Sequence, residues 1–137
     1  MKISILTCVL NNEKFIADSI KSVQNQIYKN KEHIIIDGGS IDKTIDIVNR
    51  LKNNDISIFS SQDNGIYDAI NKGINLASGD IIGVLHSDDF YADYNVLSSV
   101  NEVFEKKKCR YCLRRFIICF KKQKIKCEIL EGWRIFR

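Results

Sequence analysis

Apolar residues recur along the chain in two patterns, one typical of buried strands and one typical of helices with a single apolar face. The strand pattern appears as four short β-rich runs, at residues 2–10, 33–36, 55–59 and 80–85. Each run is followed by apolar residues spaced three or four positions apart, as on one face of a helix. These four sets are Ile16, Ile20, Val23 and Ile27; Ile41, Ile45 and Val48; Ile66, Ile70 and Ile74; and Val96, Leu97, Val100, Val103 and Phe104. Four strand-then-helix units in succession predict an α/β fold with an open, mostly parallel sheet and flanking helices.

Polar residues at the ends of these runs predict where the helices begin and end. Asn11 or Asn12 is predicted to cap the first helix and Ser40 the second, since both residue types accept hydrogen bonds from helix N-termini. The Ala-Ser-Gly-Asp turn at residues 77–80 is predicted to end the third helix.

Length and composition fit one modest domain. The chain has 137 residues, of which 45% are hydrophobic and 28% charged, as in ordinary globular proteins. No apolar run approaches the roughly 20 residues that a membrane span needs. The N-terminal apolar segment is too short for a secretory signal and soon gives way to polar residues, so we expect a cytoplasmic protein.

The net charge of +4 hides a division of the chain into two unlike parts. Residues 1–105 carry nine Lys and Arg against fifteen Asp and Glu, a net charge of −6. Residues 106–137 carry twelve against two, a net charge of +10, together with four of the five cysteines. We therefore predict an acidic domain at 1–105 and a basic, Cys-rich, poorly structured tail at 106–137.

The tail has two interpretations of its own. A zinc site is one, but the chain has a single Cys-x-x-Cys pair, Cys109 and Cys112, with irregular spacing to Cys119 and Cys127 and no histidine after them. Binding of nucleic acid or of an anionic membrane surface through the positive charge is the other. Neither is favoured, and we expect no nucleic-acid partner.

Candidate chemistry gathers at the carboxyl ends of the predicted strands, where ligands bind in open α/β sheets. The residues there are Thr7, Asn11, Asp37, Asp63, Asp88 and Asp89. Taken singly, each is an ordinary cap or turn residue. Together they place three or four carboxylates on one edge of the sheet, which favours a binding site.

The adjacent pair Asp88 and Asp89 predicts a metal site. Neighbouring carboxylates repel one another unless a cation is present, and hard divalent ions such as Mg²⁺ or Mn²⁺ prefer oxygen ligands. Such ions commonly complete their coordination with water and substrate phosphates, which suggests a diphosphate ligand. Asp37 is well placed for a ribose hydroxyl or a base N–H. Neither G-x-x-x-x-G-K-[ST] nor G-x-G-x-x-G occurs in the chain, so a P-loop or a nicotinamide site is not indicated.

Three stretches carry a resemblance to a known family. They read KISILTCVLNNEKFIADSIKSVQNQ, HIIIDGGSIDKTIDIV and DNGIYDAINKGINLASGDIIGVLHSDDFY. In this order they resemble the N-terminal, nucleotide-sugar-binding half of a family 2 glycosyltransferase domain, which has the GT-A fold. The likeness is greatest to bacterial enzymes that build cell-surface polysaccharides from activated sugars.

The resemblance implies roles for individual residues. Thr7 and Asn11 would border the nucleotide, and Asp37 would meet the uracil or ribose. Asp63 and Lys72 would lie near the nucleotide and its diphosphate.

The residues 86–89 stand where the family has its metal-binding D-x-D motif, so that Asp88 would bind ribose and metal and Asp89 the metal. Two departures are present. Asp37-Gly38-Gly39-Ser40 stands where many members have Asp-Asp-Gly-Ser, and His86 stands where Asp or Asn is commoner.

The tail is also interpreted through this resemblance. Residues 108–136, back-translated and read one nucleotide later, can give a string that contains YGD and YWKAGEFS and resembles the family's continuation. This favours a frameshifted tail on a truncated enzyme. The base that deprotonates an acceptor hydroxyl would then lie downstream, so the catalytic residue is unknown and this chain is expected to be inactive alone.

The leading hypothesis is thus a glycosyltransferase with a nucleoside diphosphate sugar as donor, with UDP-sugar favoured and with Mn²⁺ or Mg²⁺ as cofactor. The acceptor would be a glycan or a lipid-linked sugar, which leaves open peripheral association with the inner face of a membrane. The alternatives are a non-catalytic nucleotide- or metal-binding module and an interaction protein that works through its basic tail.

Overall fold

A computed structural model describes residues 1–106 and the strand at residues 115–119. Strands and helices alternate along this part of the chain, as the hydrophobic pattern predicts. The elements are β1 (Ile3–Val9), α1 (Ile16–Gln24), β2 (Lys31–Asp37), α2 (Thr44–Leu51), β3 (Ile56–Ser60), α3 (Ile66–Leu76), β4 (Ile81–Leu85), α4 (Val96–Lys106) and β5 (Arg115–Cys119).

The strands form one parallel sheet in the order β3-β2-β1-β4-β5. In the register of the sheet, Val9 pairs with Asp37 and Asp37 pairs with Ser60, so that β1, β2 and β3 end level with one another. The predicted open parallel α/β sheet is confirmed. The order of the strands also reverses at β1, which places the loops after β1 and β4 side by side at the carboxyl edge.

Helices cover both faces of the sheet. On one face, residues of α1, α2 and α4 pack on odd-numbered positions of β1 such as Ile3, Ile5 and Val9. On the other face, Ala69 and Ile74 of α3 lie in a buried cluster with Leu6. All seven residues of β1 are buried, because this strand lies inside the sheet and under helices on both sides.

Two predicted helix starts are wrong. The residue before α1 is Phe15 and the residue before α2 is Lys43, and neither helix has a side-chain cap from Asn11, Asn12 or Ser40. The polar groups of those three residues are used instead in contacts between loops. Ile41 lies outside α2 with 93% of its surface exposed, so the apolar face of that helix is formed by Ile47, Val48 and Leu51.

Strand β5 lies within the segment that the sequence predicts to be a poorly structured tail. Its backbone pairs in parallel with β4, from Ile81 with Arg115 to Leu85 with Cys119. Residues 107–114 and 120–137, with the remaining tail cysteines, lie outside the described residues. The domain boundary at 105 and the frameshift therefore stay predictions.

In the part of the chain described here, every helix is too short or too polar to cross a membrane.

Candidate nucleotide-sugar site

The loop after β1 is fixed by contacts with the loop after β2. Asn11 has a left-handed backbone with φ of 48°, which an asparagine tolerates better than most residues. Its backbone N–H donates to Ser40 Oγ at 2.8 Å, and its side-chain Oδ1 accepts the N–H of Ile41 at 2.8 Å. The two loops thus form one surface at the carboxyl edge, with Asn11 between them.

The carboxylate of Asp37 holds the loop after β2 in place through hydrogen bonds from the loop backbone. The carboxylate is fully buried and accepts the backbone N–H of Gly39 at 3.2 Å and that of Ser40 at 3.1 Å. Ser60, the paired residue on β3, donates its hydroxyl at 2.5 Å. A buried carboxylate needs such donors, since its desolvation is otherwise costly. The contacts described for this group are with its own loop and with β3.

Thr7 lies below the edge, two residues before the end of β1. Its hydroxyl is fully buried, and Oγ1 is 2.9 Å from Nε2 of the buried His33. Burial lowers the pKa of His33 to about 3, so the imidazole is neutral at physiological pH. Nδ1 of this ring is buried with no hydrogen-bond partner in the described part of the chain. The pair Thr7–His33 is an interior contact that supports the edge.

Asp63 lies in the loop after β3, next to the loop after β2. Its Oδ1 accepts the N–H of Gly65 at 3.0 Å, and Oδ2 is close enough to Gly38 that a Cβ there would lie 2.7 Å from it. Burial, and to a smaller extent the charge of Asp63, raises the pKa of the Cys8 thiol to about 12. Cys8 is consequently a neutral, buried thiol. The carboxylate of Asp63, in the loop after β3, is therefore the charged group beside it.

Lys72 projects from α3 onto the same loop. Its Nζ donates to the carbonyl oxygen of Gln62 at 2.9 Å and forms an ion pair of 3.2 Å with Asp68. About a third of its side chain remains exposed. Lys72 therefore supplies a solvent-accessible positive charge beside the loop that carries Asp63.

The residues 86–89, which we call the aspartate turn, follow β4 directly. The N–H of Asp89 donates to the carbonyl of His86 at 3.0 Å, which closes a tight turn. Asp89 is buried, with 7% of its surface exposed, whereas Asp88 is exposed. The two adjacent carboxylates thus have different environments, one directed into the protein and one accessible from solvent.

The described residues contain no group of three or more His, Cys, Asp or Glu side chains placed to hold a metal ion. As an adjacent pair, Asp88 and Asp89 offer carboxylate oxygens, the type of ligand that Mg²⁺ and Mn²⁺ bind. Such ions are often held by one or two carboxylates together with substrate phosphates and water. The residues present fit an ion that binds together with a phosphate ligand.

Three hydrogen bonds at this edge involve Asn12 and Ser60, two residues that the sequence does not single out for the site. The backbone N–H of Asn12 donates to Thr44 Oγ1 at 2.9 Å, and its Nδ2 donates to Ser87 Oγ at 2.8 Å. Ser60 is the other such residue, through its bond to Asp37. Their partners lie 23 to 75 positions away along the chain, so local sequence patterns carry no signal of them.

Comparison with known proteins agrees with the observed fold. The family model described as glycosyl transferase family 2 matches residues 4–131. A protein of Haemophilus influenzae named as an uncharacterized glycosyltransferase is 39% identical over 102 residues, which are 72% of this chain and 41% of that protein. The chain spans about two fifths of the length of the curated relatives it matches.

Solved structures of two proteins have the same fold. S. aureus TarS in complex with UDP-GlcNAc superposes with a TM-score of 0.73 at 22% identity, covering 77% of this chain and 32% of that one. A mannosyltransferase from Pyrobaculum calidifontis, in complex with GDP-Man and Mn²⁺, gives 0.71 at 18% identity, covering 75% and 32%. These likenesses establish the GT-A type of α/β fold.

Proposed function

The chain belongs to glycosyl transferase family 2, and from that membership we propose that it forms the nucleotide-sugar-binding part of a glycosyltransferase. The enzyme would transfer a sugar from a nucleoside diphosphate sugar to a glycan or lipid-linked acceptor during synthesis of a bacterial cell-surface polysaccharide or glycoconjugate. One observation carries the proposal: the loops after β1, β2, β3 and β4 lie at one edge of a parallel sheet and bring Asp37, Asp63, Asp88 and Asp89 to it. Ligands of open α/β sheets bind at that edge.

The donor would be a UDP-sugar. A nucleotide needs hydrogen-bond partners for its base and ribose and a positive charge for its diphosphate. Asn11 and Asp63 would face the nucleoside, and Asp88 the ribose. Lys72 would supply a compact positive charge near the diphosphate, a role that suits an ammonium group. The fully buried Thr7 and Asp37 would shape the edge from below, through their bonds to His33 and to the loop after β2.

Mn²⁺ or Mg²⁺ would be held by Asp89, with Asp88 beside it. A bound divalent ion would neutralise negative charge on the nucleoside diphosphate as it leaves. The contribution of the chain is to hold Asp89 in a fixed, largely buried position through the turn at His86. An ion at this position would also relieve the mutual repulsion of the two adjacent carboxylates.

The location of the enzyme in the cell would depend on its acceptor. A lipid-linked acceptor would bring the enzyme to the inner face of a membrane, and a soluble glycan would not. The acidic composition of residues 1–105 gives no reason for a nucleic-acid partner.

Calorimetric titration of the 137-residue chain with UDP and with ADP, each with and without Mn²⁺, tests the proposal. We expect UDP to bind, Mn²⁺ to tighten that binding by at least about tenfold, which is 1.4 kcal/mol, and ADP to bind more weakly. Equal affinities with and without metal would overturn the metal's role, and absence of UDP binding would overturn the proposal as a whole. Release of UDP from a UDP-sugar, measured on the full-length protein with its reading frame restored, would distinguish a transferase from a non-catalytic binding module.

A further inference from the structure

Asn12 joins three of the four loops at the carboxyl edge. Its carbonyl oxygen accepts the N–H of Ile16 at 3.2 Å, in the first turn of α1. Its N–H donates to Thr44 Oγ1, at the start of α2, and its side-chain Nδ2 donates to Ser87 Oγ, in the aspartate turn. One residue therefore connects the loop after β1, the loop after β2 and the turn after β4.

The backbone of Asn12 is held on both sides of the residue. Its carbonyl belongs to the start of a helix that packs on the sheet through the fully buried Ile16 and Ile20, and its N–H is bonded to the fully buried Thr44. A side chain attached to such a backbone has a defined position. The bond to Ser87, 75 residues away, therefore holds the aspartate turn at a defined place relative to Asn12.

Ser87 is the residue directly before the two aspartates. The turn is short, since Asp89 N–H bonds back to His86, so a shift of Ser87 moves both carboxylates with it. Asn11, the neighbour of Asn12, is bonded to the loop after β2 at Ser40 and Ile41. Asn11 and Asn12 thus connect the loops proposed to contact the nucleotide with the aspartate turn, which is proposed to hold the metal.

We infer that Asn12 is a positioning residue, which sets Asp88 and Asp89 at the correct place relative to the nucleotide-binding loops through its hydrogen bond to Ser87. The inference rests on the proposed function. It adds that the Asn12 side chain couples nucleotide binding to metal binding. Loss of the bond would leave the proposed nucleotide contacts of Asn11, Asp63 and Lys72 in place, but would misplace the metal ligands Asp88 and Asp89 and, with Asp88, one contact to the ribose.

The test compares UDP affinity with and without Mn²⁺ in four proteins: the 137-residue wild type, N12A, S87A and the double variant N12A/S87A. Asn54, an exposed asparagine in the loop before β3, gives the matched control N54A. We expect the enhancement by Mn²⁺ to fall about five- to tenfold in N12A and S87A, which is about 1.0–1.4 kcal/mol and in the range of one hydrogen bond. UDP affinity without metal should fall by no more than about twofold, because Asn11, Asp63 and Lys72 stay in place. The double variant should lose no more than either single variant, because both changes remove the same bond.

A purely structural role for Asn12 would weaken UDP binding equally with and without metal. That result, or full additivity in the double variant, would overturn the inference while leaving the proposed function intact. Should the wild type show no enhancement by Mn²⁺, the proposed metal role fails instead, and amide hydrogen exchange then decides the inference. The Asp89 amide must exchange faster in N12A and S87A than in N54A, and unchanged exchange would overturn the positioning role.

Discussion

Asp63 occupies the space that a side chain on Gly38 would need. A Cβ atom at Gly38 would lie 2.7 Å from Asp63 Oδ2 and 3.2 Å from its Cγ, closer than such atoms approach in proteins. Gly38 follows Asp37 directly, at the position where the family resemblance leads one to expect a second carboxylate. The missing side chain leaves room for a carboxylate that comes from the next loop instead.

We predict that G38A weakens UDP binding about tenfold, which is 1.4 kcal/mol, because the added methyl group displaces the Asp63 carboxylate. Gly38 does not have a left-handed backbone, so alanine is tolerated there and stability should change little. Titration of UDP against wild type, G38A, D63A and the double variant measures the coupling. G38A should cause no further loss once Asp63 is replaced, and a full additional loss would contradict the explanation.

Gly39 provides the control for that experiment. Its φ is 96°, and a Cβ there would only make an ordinary contact with Gln62. G39A should therefore cost about 1–2 kcal/mol of folding stability through backbone strain, measured by urea unfolding. The two substitutions are expected to have different effects: G38A weakens UDP binding, and G39A lowers the free energy of unfolding.

The D89A variant is expected to lose the metal dependence of UDP binding. Asp89 is the buried member of the aspartate pair, and its removal takes away a charge that would hold the ion against the diphosphate. We expect a loss on the order of 2–4 kcal/mol in the presence of Mn²⁺, as for other electrostatic contacts at developing charge, and little change without metal. Calorimetry with and without Mn²⁺ measures both. An undiminished response of D89A to Mn²⁺ would place the ion elsewhere.

His33 should make folding stability fall below about pH 6.5. The pKa of this buried histidine is lowered by burial to about 3, from 6.5 in its ordinary state. The unfolded chain therefore binds a proton that the folded chain excludes, so this contribution is complete above pH 6.5 and is lost as the pH falls towards 3. Its slope approaches about 1.4 kcal/mol per pH unit.

Urea unfolding between about pH 6.5 and 5 measures that slope before most carboxylates titrate. H33N should reduce the slope, whereas H86N, which removes the other histidine of the chain, leaves His33 and its contribution in place. A slope that is the same in H33N and in wild type would show that another group causes it.

Glu32 should stabilise the fold from the edge opposite the site. Burial raises its pKa, but hydrogen bonds from Lys2, Ser4 and Ser78 outweigh that effect and lower the pKa to about 2. The ion pair with Lys2 measures 2.7 Å and is partly exposed. We expect E32Q to cost about 1–2 kcal/mol at pH 7, after allowance for solvent screening. Because the folded pKa lies below the unfolded one, this stability is present above about pH 4.5 and is lost as the pH falls towards 2.

The control for E32Q is E102Q, which removes an exposed carboxylate paired with Lys106 on α4. Such a fully exposed pair is screened by water and contributes little to stability. Urea unfolding at pH 7 compares the two, and UDP affinity should be unchanged in both variants. Equal losses of stability in E32Q and E102Q would contradict the role of the Glu32 network.

Periodicity alone was sufficient to predict the four strand-then-helix units of residues 1–106, but not the fifth strand of the sheet. Short apolar runs alternating with helical faces determined a parallel α/β sheet, and parallel topology placed the loops that carry Asp37, Asp63 and the aspartate pair at one edge. These properties depend on residues close together in the chain, since burial of one face or of both faces is recorded in a local repeat.

Only the tertiary structure decided what the polar groups at that edge do. Asn12 carries the same cap-like signal as Asn11, yet its side chain bonds to Ser87, and Ser40 accepts a bond from Asn11 in place of capping a helix. The space beside Gly38 is filled by Asp63, from another loop. These contacts depend on strand register and on how loops from different units pack. A polar side chain can satisfy its hydrogen bonds in several ways, and local sequence does not record which partner the fold brings within reach.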